Sequence, residues 1–160
     1  MKKVLIVEDE ILARLGLRQL VDWRKLELEL LPDATDGEEA LKMIRNSCPD
    51  IILLDLNIPK VSGLEILEFL KKEEMPTKVI VVSCQEEFDV VKKAMKLGAY
   101  DYLRKLNLSS DELENILEKC LVETEERITV HMQGIREIRY EEIVRDSRDT
   151  FSYTHLRAHE

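Results

Sequence analysis

No apolar run in the 160 residues of this chain approaches the ~20 needed to span a bilayer, so no membrane-crossing helix is expected. The first residues, Met1-Lys2-Lys3, lead straight into a strand-like run and leave no room for a signal peptide, so the expected compartment is the cytoplasm. Cysteine is scarce. Cys48, Cys84 and Cys120 are odd in number and widely spaced, without metal-ligand pairing, which argues against a disulfide framework and for reduced thiols. Cys48 and Cys120 read as small apolar side chains. Positive charge is in deficit: 24 Lys and Arg against 33 Asp and Glu leave a net charge of -9, which repels a nucleic-acid backbone. Glycines are few as well, and no glycine-rich phosphate loop follows the first apolar run, which argues against a nucleotide binder.

What the chain has instead is alternation. It is 44% hydrophobic and 36% charged, the balance of a soluble globular protein with well-solvated helices, and its length suits one domain plus an appendage. Val4-Leu5-Ile6-Val7, Ile51-Ile52-Leu53-Leu54 and Val79-Ile80-Val81-Val82 are short and wholly apolar, as expected of strands buried on both faces of a parallel sheet. Tyr100-Asp101-Tyr102-Leu103-Arg104 adds a further strand; the stretch Glu27 to Ala34 is the weakest, because its alternation ends at Pro32. Helical spacing fills the gaps. Ile11, Leu12, Leu15, Leu17, Leu20 and Val21 mark a first helix; Ala40, Leu41, Met43 and Ile44, after the acidic start Asp36-Gly37-Glu38-Glu39 and before Pro49, mark a second. Ser62 caps a third carrying Leu64, Ile66, Leu67, Phe69 and Leu70, with Pro76 beyond its end. Glu86 to Leu97 forms a fourth that Gly98 stops, and Ser109-Ser110-Asp111-Glu112 opens a fifth with Leu113, Ile116, Leu117, Cys120 and Leu121. Stacked βαβ units through about residue 122 predict a doubly wound α/β domain.

Residues 123–151 are dense in charge, with Ile128, Met132, Ile135 and Ile138 loosely spaced and too little apolar surface for a second core. They read as a linker or helical extension, either dimerising or simply solvated. The last nine residues, Ser152-Tyr153-Thr154-His155-Leu156-Arg157-Ala158-His159-Glu160, match a transposase-type sequencing adapter translated in one frame. Residues 152–160 are therefore read as an adapter-derived scar, His155 and His159 are not read as ligands, and the natural gene is expected to continue past Phe151 into an output domain.

The apolar runs end on chemistry. The first stops at Glu8-Asp9, the second at Asp55, the third at Ser83, and the fourth strand leads to Lys105. In open parallel sheets ligands gather at the carboxyl ends of the strands. Three carboxylates brought together repel unless a cation lies between them, and Mg²⁺ suits a site that must also bind phosphate oxygens. One acid pair after a strand often just caps the next helix; a second strand delivering another acid and a further one a lysine makes that reading insufficient. A carboxylate beside a metal and an ammonium can attack a phosphoryl group and form an acyl phosphate. Pro59 and Gly63 shape the loop after Asp55.

In these motifs, and in Gly98-Ala99-Tyr100-Asp101-Tyr102-Leu103 before Lys105, residues 1–122 resemble the receiver domain of bacterial two-component response regulators. The resemblance implies a flavodoxin-like (βα)5 fold with a five-stranded parallel sheet in the order 2-1-3-4-5. It implies that Asp55 is the phosphoacceptor, served by a sensor histidine kinase. It also implies that Asp9, Asp55 and the Asn57 carbonyl ligate Mg²⁺ directly, with Glu8 acting through water. Lys105 and Ser83 would bind phosphoryl oxygens while Tyr102 turns inward as the switch. Asn57 and Gln85 would tune the lifetime of the phosphorylated form, with Cys84 crowding the attacking water. Val21-Asp22-Trp23 and Glu87-Phe88 are most similar to receivers attached to AraC-type helix-turn-helix domains. Two positions depart from the pattern: Leu106 follows the lysine where a cis proline is usual, and Cys84 stands where alanine is usual.

The expected function is thus a phosphorylation-activated switch rather than a turnover enzyme, the input half of a transcription regulator. It would dimerise when phosphorylated and reach DNA only through the output domain. A stand-alone receiver acting by protein contact is the alternative. A haloacid-dehalogenase-type phosphohydrolase also uses an aspartyl nucleophile and Mg²⁺, but it needs a general acid two residues later, where this chain has Asn57.

Overall fold

A computed structural model describes residues 1–84 and 87–123. Five strands and five helices alternate: β1 (Lys2–Val7), α1 (Ile11–Leu20), β2 (Leu28–Leu30), α2 (Gly37–Ser47), β3 (Ile51–Leu54), α3 (Gly63–Lys72), β4 (Lys78–Ser83), α4 (Phe88–Lys96), β5 (Asp101–Arg104) and α5, helical over residues 110–123. All neighbouring strands are parallel, in the order β2-β1-β3-β4-β5. This is the doubly wound, flavodoxin-like sheet expected from the alternation and the resemblance. Gln85 and the extension after residue 123, with the adapter-like end 152–160, lie outside the described residues.

The three central strands carry unbroken apolar runs at residues 4–7, 51–54 and 79–82 because both faces are covered there. Leu5 and Val7, Ile52 and Leu54, Val79 and Val81 form one core with Ala40 and Ile44 of α2, Ile66, Leu67 and Leu70 of α3 and Ala94 of α4. The alternate residues Val4, Ile6, Leu53 and Ile80 are equally buried on the other face, where Val82 and α1 residues Ala13, Gly16, Leu17 and Leu20 line a cavity of about 200 Å³. The register sets the ends level: Val7 pairs with Leu54, Leu54 with Val81, and Ser83 with Arg104. Everything just past those residues therefore opens at one edge.

Local signals explain the boundaries. Asp36 caps α2 by accepting from the Glu39 N–H at 2.8 Å. Ser62 and Glu65 close a reciprocal capping box on α3. Ser109 accepts from the Glu112 N–H at 3.1 Å at the start of α5. Gly98, at φ 97°, ends the α4 turn in a conformation that side chains disfavour.

The structure refines two readings of the sequence and corrects a third. The two small apolar thiols differ in setting: Cys48 is exposed, as the left-handed C-cap of α2 at φ 44°, whereas Cys120 is buried. Of the α1 apolar residues only Leu17 is buried within the helix, while Ile11, Leu12 and Leu15 are exposed. At about 100° per residue those three lie roughly opposite Leu17 and Leu20, so one face cannot hold them all. The fourth helix begins at Phe88 rather than Glu86.

Candidate functional site

Asp55 follows β3 directly, its N–H held by the Val7 carbonyl of β1 at 3.0 Å. It is 7% exposed. Three elements donate to its carboxylate. Oδ1 accepts from the Asn57 N–H at 3.0 Å and the Ser83 hydroxyl of β4 at 3.1 Å; Oδ2 accepts from the Lys105 ammonium at 2.9 Å. Lys105 arrives because its own N–H is bonded to the Ser83 carbonyl at 3.1 Å, one step past the β4–β5 ladder. The Lys105-Leu106 peptide is trans, and the side chain reaches Asp55 all the same.

Glu8 and Asp9 close the other side. Ligand atoms of Glu8, Asp9 and Asp55 lie within 4.8 Å of one another. The two adjacent acids differ in setting, since Glu8 is 1% exposed while Asp9 faces solvent. Glu8 pairs through Oε1 with the Lys105 ammonium, and Oε2 is buried without a hydrogen-bond partner. Burial, and then the closeness of Asp55, raise the Glu8 carboxyl to about 7 against the opposing pull of Lys105. Burial would also raise Asp55, but the neighbouring Glu8 carboxyl, the Lys105 ammonium and the Asn57 N–H outweigh it and hold this carboxyl below its usual range. Burial disfavours the Lys105 charge, and the two carboxylates more than compensate, so the ammonium holds its proton more tightly than usual. The site thus keeps Asp55 ionised while Glu8 shares a proton near neutrality.

The set suits a hard divalent cation. All its side-chain donors are carboxylate oxygens, and a buried oxygen without a donor is what a cation or its water would satisfy. The exposed Asn57 sits in a loop that packs tightly: its Pro59 carbonyl accepts from the Gly37 N–H at 3.0 Å, and its Leu56 carbonyl from the Gly63 N–H at 3.1 Å.

Of the residues singled out from the sequence, Glu8, Asp9, Asp55, Asn57, Ser83 and Lys105 gather here. Tyr102 lies one strand away, half-buried against the core, and Cys84 is exposed beside Ser83. Sequence reasoning missed Arg14, which donates to the carbonyls of Glu8 and Asp9. Its only signal was a basic residue one helical turn after Glu10.

Comparison with known proteins agrees with this geometry. The family described as the response regulator receiver domain matches residues 4–118. The positive alginate biosynthesis regulatory protein of Pseudomonas aeruginosa is 40% identical over 117 residues, 73% of this chain and 46% of that protein. The nitrate/nitrite response regulator protein NarL of Escherichia coli is 32% identical over 102 residues, 64% of this chain and 47% of that protein. The chain thus spans about half the length of the curated relatives it matches. A DNA-binding response regulator of the LuxR family from Staphylococcus aureus superposes with a TM-score of 0.68 at 30% identity, over 75% of this chain and 98% of that one. An acid cluster, a hydroxyl and a lysine meet at the carboxyl edge of a 2-1-3-4-5 sheet inside the matched segment, and the chain belongs to the response regulator receiver domain family.

Proposed function

We propose that residues 1–122 act as a phosphorylation switch in two-component signalling, with Asp55 as phosphoacceptor and a sensor histidine kinase as donor. The observation that carries this reading is the convergence of the Ser83 hydroxyl, the Lys105 ammonium and the Asn57 N–H on an ionised, nearly buried Asp55. An Asp55 oxygen bonds to phosphorus as the donor's bond to phosphorus breaks. Lys105 and Ser83, already aimed at the two carboxylate oxygens, then bind the incoming phosphoryl oxygens. Glu8, Asp9, Asp55 and the Asn57 carbonyl would hold Mg²⁺, which when bound supplies further charge neutralisation to the phosphoryl group. Tyr102 follows Ser83 as the switch, and Asn57, Cys84 and Gln85 set how readily water reaches the acyl phosphate. The acyl phosphate is made and lost on the same side chain, so the protein is a self-modifying switch rather than a turnover enzyme.

The names of the relatives extend the proposal to transcription control, and the proposed compartment is the cytoplasm. The phosphorylated form would pair with a second copy, and a DNA-binding domain beyond a linker at residues 123–151 would contact DNA. A LuxR-family partner domain is favoured by those names; an AraC-type one rests on Val21-Asp22-Trp23 and Glu87-Phe88 alone. Among the described residues no helix is long and apolar enough to cross a membrane. The test is incubation with a small phosphodonor and Mg²⁺, followed by intact-mass measurement. The wild type gains one phosphoryl group and Asp55→Asn gains none; labelling that survives in Asp55→Asn places the acceptor elsewhere.

A further inference from the structure

We infer that Arg14 is a positioning residue for the divalent-cation pocket, its guanidinium holding the backbone bend that aims Glu8 and Asp9 at one point. The inference rests on the proposed cation site. Successive side chains on extended backbone point to opposite sides. Yet the carboxylates of the consecutive residues Glu8 and Asp9 both come within 4.8 Å of Asp55. The chain must therefore turn between them, and something must hold the turn.

Arg14 is placed to do this. From one turn into α1, its Nη1 donates to the Glu8 carbonyl at 3.1 Å and to the Asp9 carbonyl at 2.9 Å. The Glu8 main chain is then held from both sides, because its N–H is bonded to the Ala34 carbonyl at 3.0 Å. Glu10, the N-cap of α1, makes no side-chain capping bond, so the loop has no such cap of its own. Arg14 is itself braced, with Nε 3.9 Å from an Asp33 oxygen. Arg18 grips the same carboxylate through Nε at 2.9 and 3.1 Å and the Leu31 carbonyl through Nη2 at 2.7 Å. Asp33 adjoins Ala34, so the brace and the β1–Ala34 bridge form one frame.

Charge alone would work the other way. A guanidinium beside a cation pocket repels the cation, so an Arg14 that acted only through its charge would weaken binding, and removing it would tighten binding. Asp33 offsets only part of that charge, because it is shared with Arg18. What favours binding is directional: two hydrogen bonds that set where the loop points. Outer partners of this kind are worth about 10–100-fold in metal affinity.

The experiment is calorimetric titration of the whole chain with Mg²⁺, with thermal unfolding of the metal-free protein run alongside. Arg14→Gln weakens binding about tenfold. Arg14→Lys keeps the charge, but its ammonium sits on a shorter stem than Nη1 and reaches the two carbonyls less well, and it weakens binding about threefold. Arg18→Gln breaks the stronger grip on Asp33, lowers the unfolding midpoint, and leaves Mg²⁺ affinity within twofold of wild type. The inference is overturned if Arg14→Gln binds Mg²⁺ as well as wild type or more tightly, or if Arg14→Gln and Arg18→Gln lose affinity equally. Should Arg14→Gln fail to fold, Arg14→Lys decides: wild-type affinity there also overturns it. Asp9→Asn separates this from failure of the cation site itself. If Asp9→Asn leaves the Mg²⁺ heat unchanged, the site reading falls and takes the inference with it. If Asp9→Asn loses binding while Arg14→Gln does not, only the role of Arg14 falls.

Discussion

Glu8 is a carboxylate almost wholly sealed from water. Its carboxyl is raised to about 7 from an ordinary 4.5, first by burial and then by Asp55. Between those two values the folded chain keeps a proton that the unfolded chain has released, so stability falls as pH rises through that window. Lys105 acts in the same sense in a different window: its raised affinity for a proton contributes stability that is lost only in strong alkali. In urea unfolding with chelator present, the metal-free protein is expected to lose roughly 1–2 kcal/mol between pH 5 and 7.5, after allowing for the Lys105 partner. Glu8→Gln flattens that slope. A slope that persists in Glu8→Gln would assign it to another group.

At the scale of elements, two glycines at helical positions have opposite expected effects. A Cβ on Gly63, the first residue of α3, would lie 2.6 Å from the Leu56 Cα and 2.9 Å from the Asp55 carbonyl oxygen. Helix and site loop are thus locked at that point, and Gly63→Ala must push α3 away from the strand end that carries Asp55. A loss of about 2–3 kcal/mol and slower phosphorylation are expected, by the cost of overpacking. Gly16, inside α1, has nothing within 4 Å of an added Cβ. Gly16→Ala should therefore gain about 0.5–1 kcal/mol from helix propensity. Urea midpoints of both variants check the pair; the same sign in both would mean that the packing of α1 or α3 is misassigned.

At the scale of the whole molecule, the site and the fold share their free energy. Three acids at the carboxyl edge of the central strands repel one another, and the fold carries that cost until a cation offsets it. Mg²⁺ at a hundred times its dissociation constant should add about 2.7 kcal/mol to stability. Because Glu8 must release its shared proton for the pocket to carry full negative charge, the gain should grow as pH rises from 6 to 8. Thermal melts with and without Mg²⁺ at the two pH values measure this. A gain independent of pH would remove Glu8 from the pocket.

Much of this was legible in the linear chain. Apolar runs that stop on Glu8-Asp9, Asp55 and Ser83 read as buried strands, and in the sheet their next residues surface together because parallel strands in register end at one edge. That Asp55, Lys105 and Ser83 are neighbours rested further on the strand order that the resemblance implied, and the sheet has that order. Periodicity settles which side chains share a face; it does not say which face the rest of the molecule covers. That is why the apolar residues of α1 split, Leu17 buried and Ile11, Leu12 and Leu15 exposed. Cys48 turned out a left-handed cap in solvent because helix termination, not hydrophobicity, sets its direction. Only tertiary structure decided that Glu8 is sealed, its carboxyl pushed up by burial, while Asp9 beside it is wet, and that Arg14 holds both their carbonyls. These depend on how one loop bends between three elements, and a bend of that kind is the outcome of packing, with no repeat in the chain to announce it.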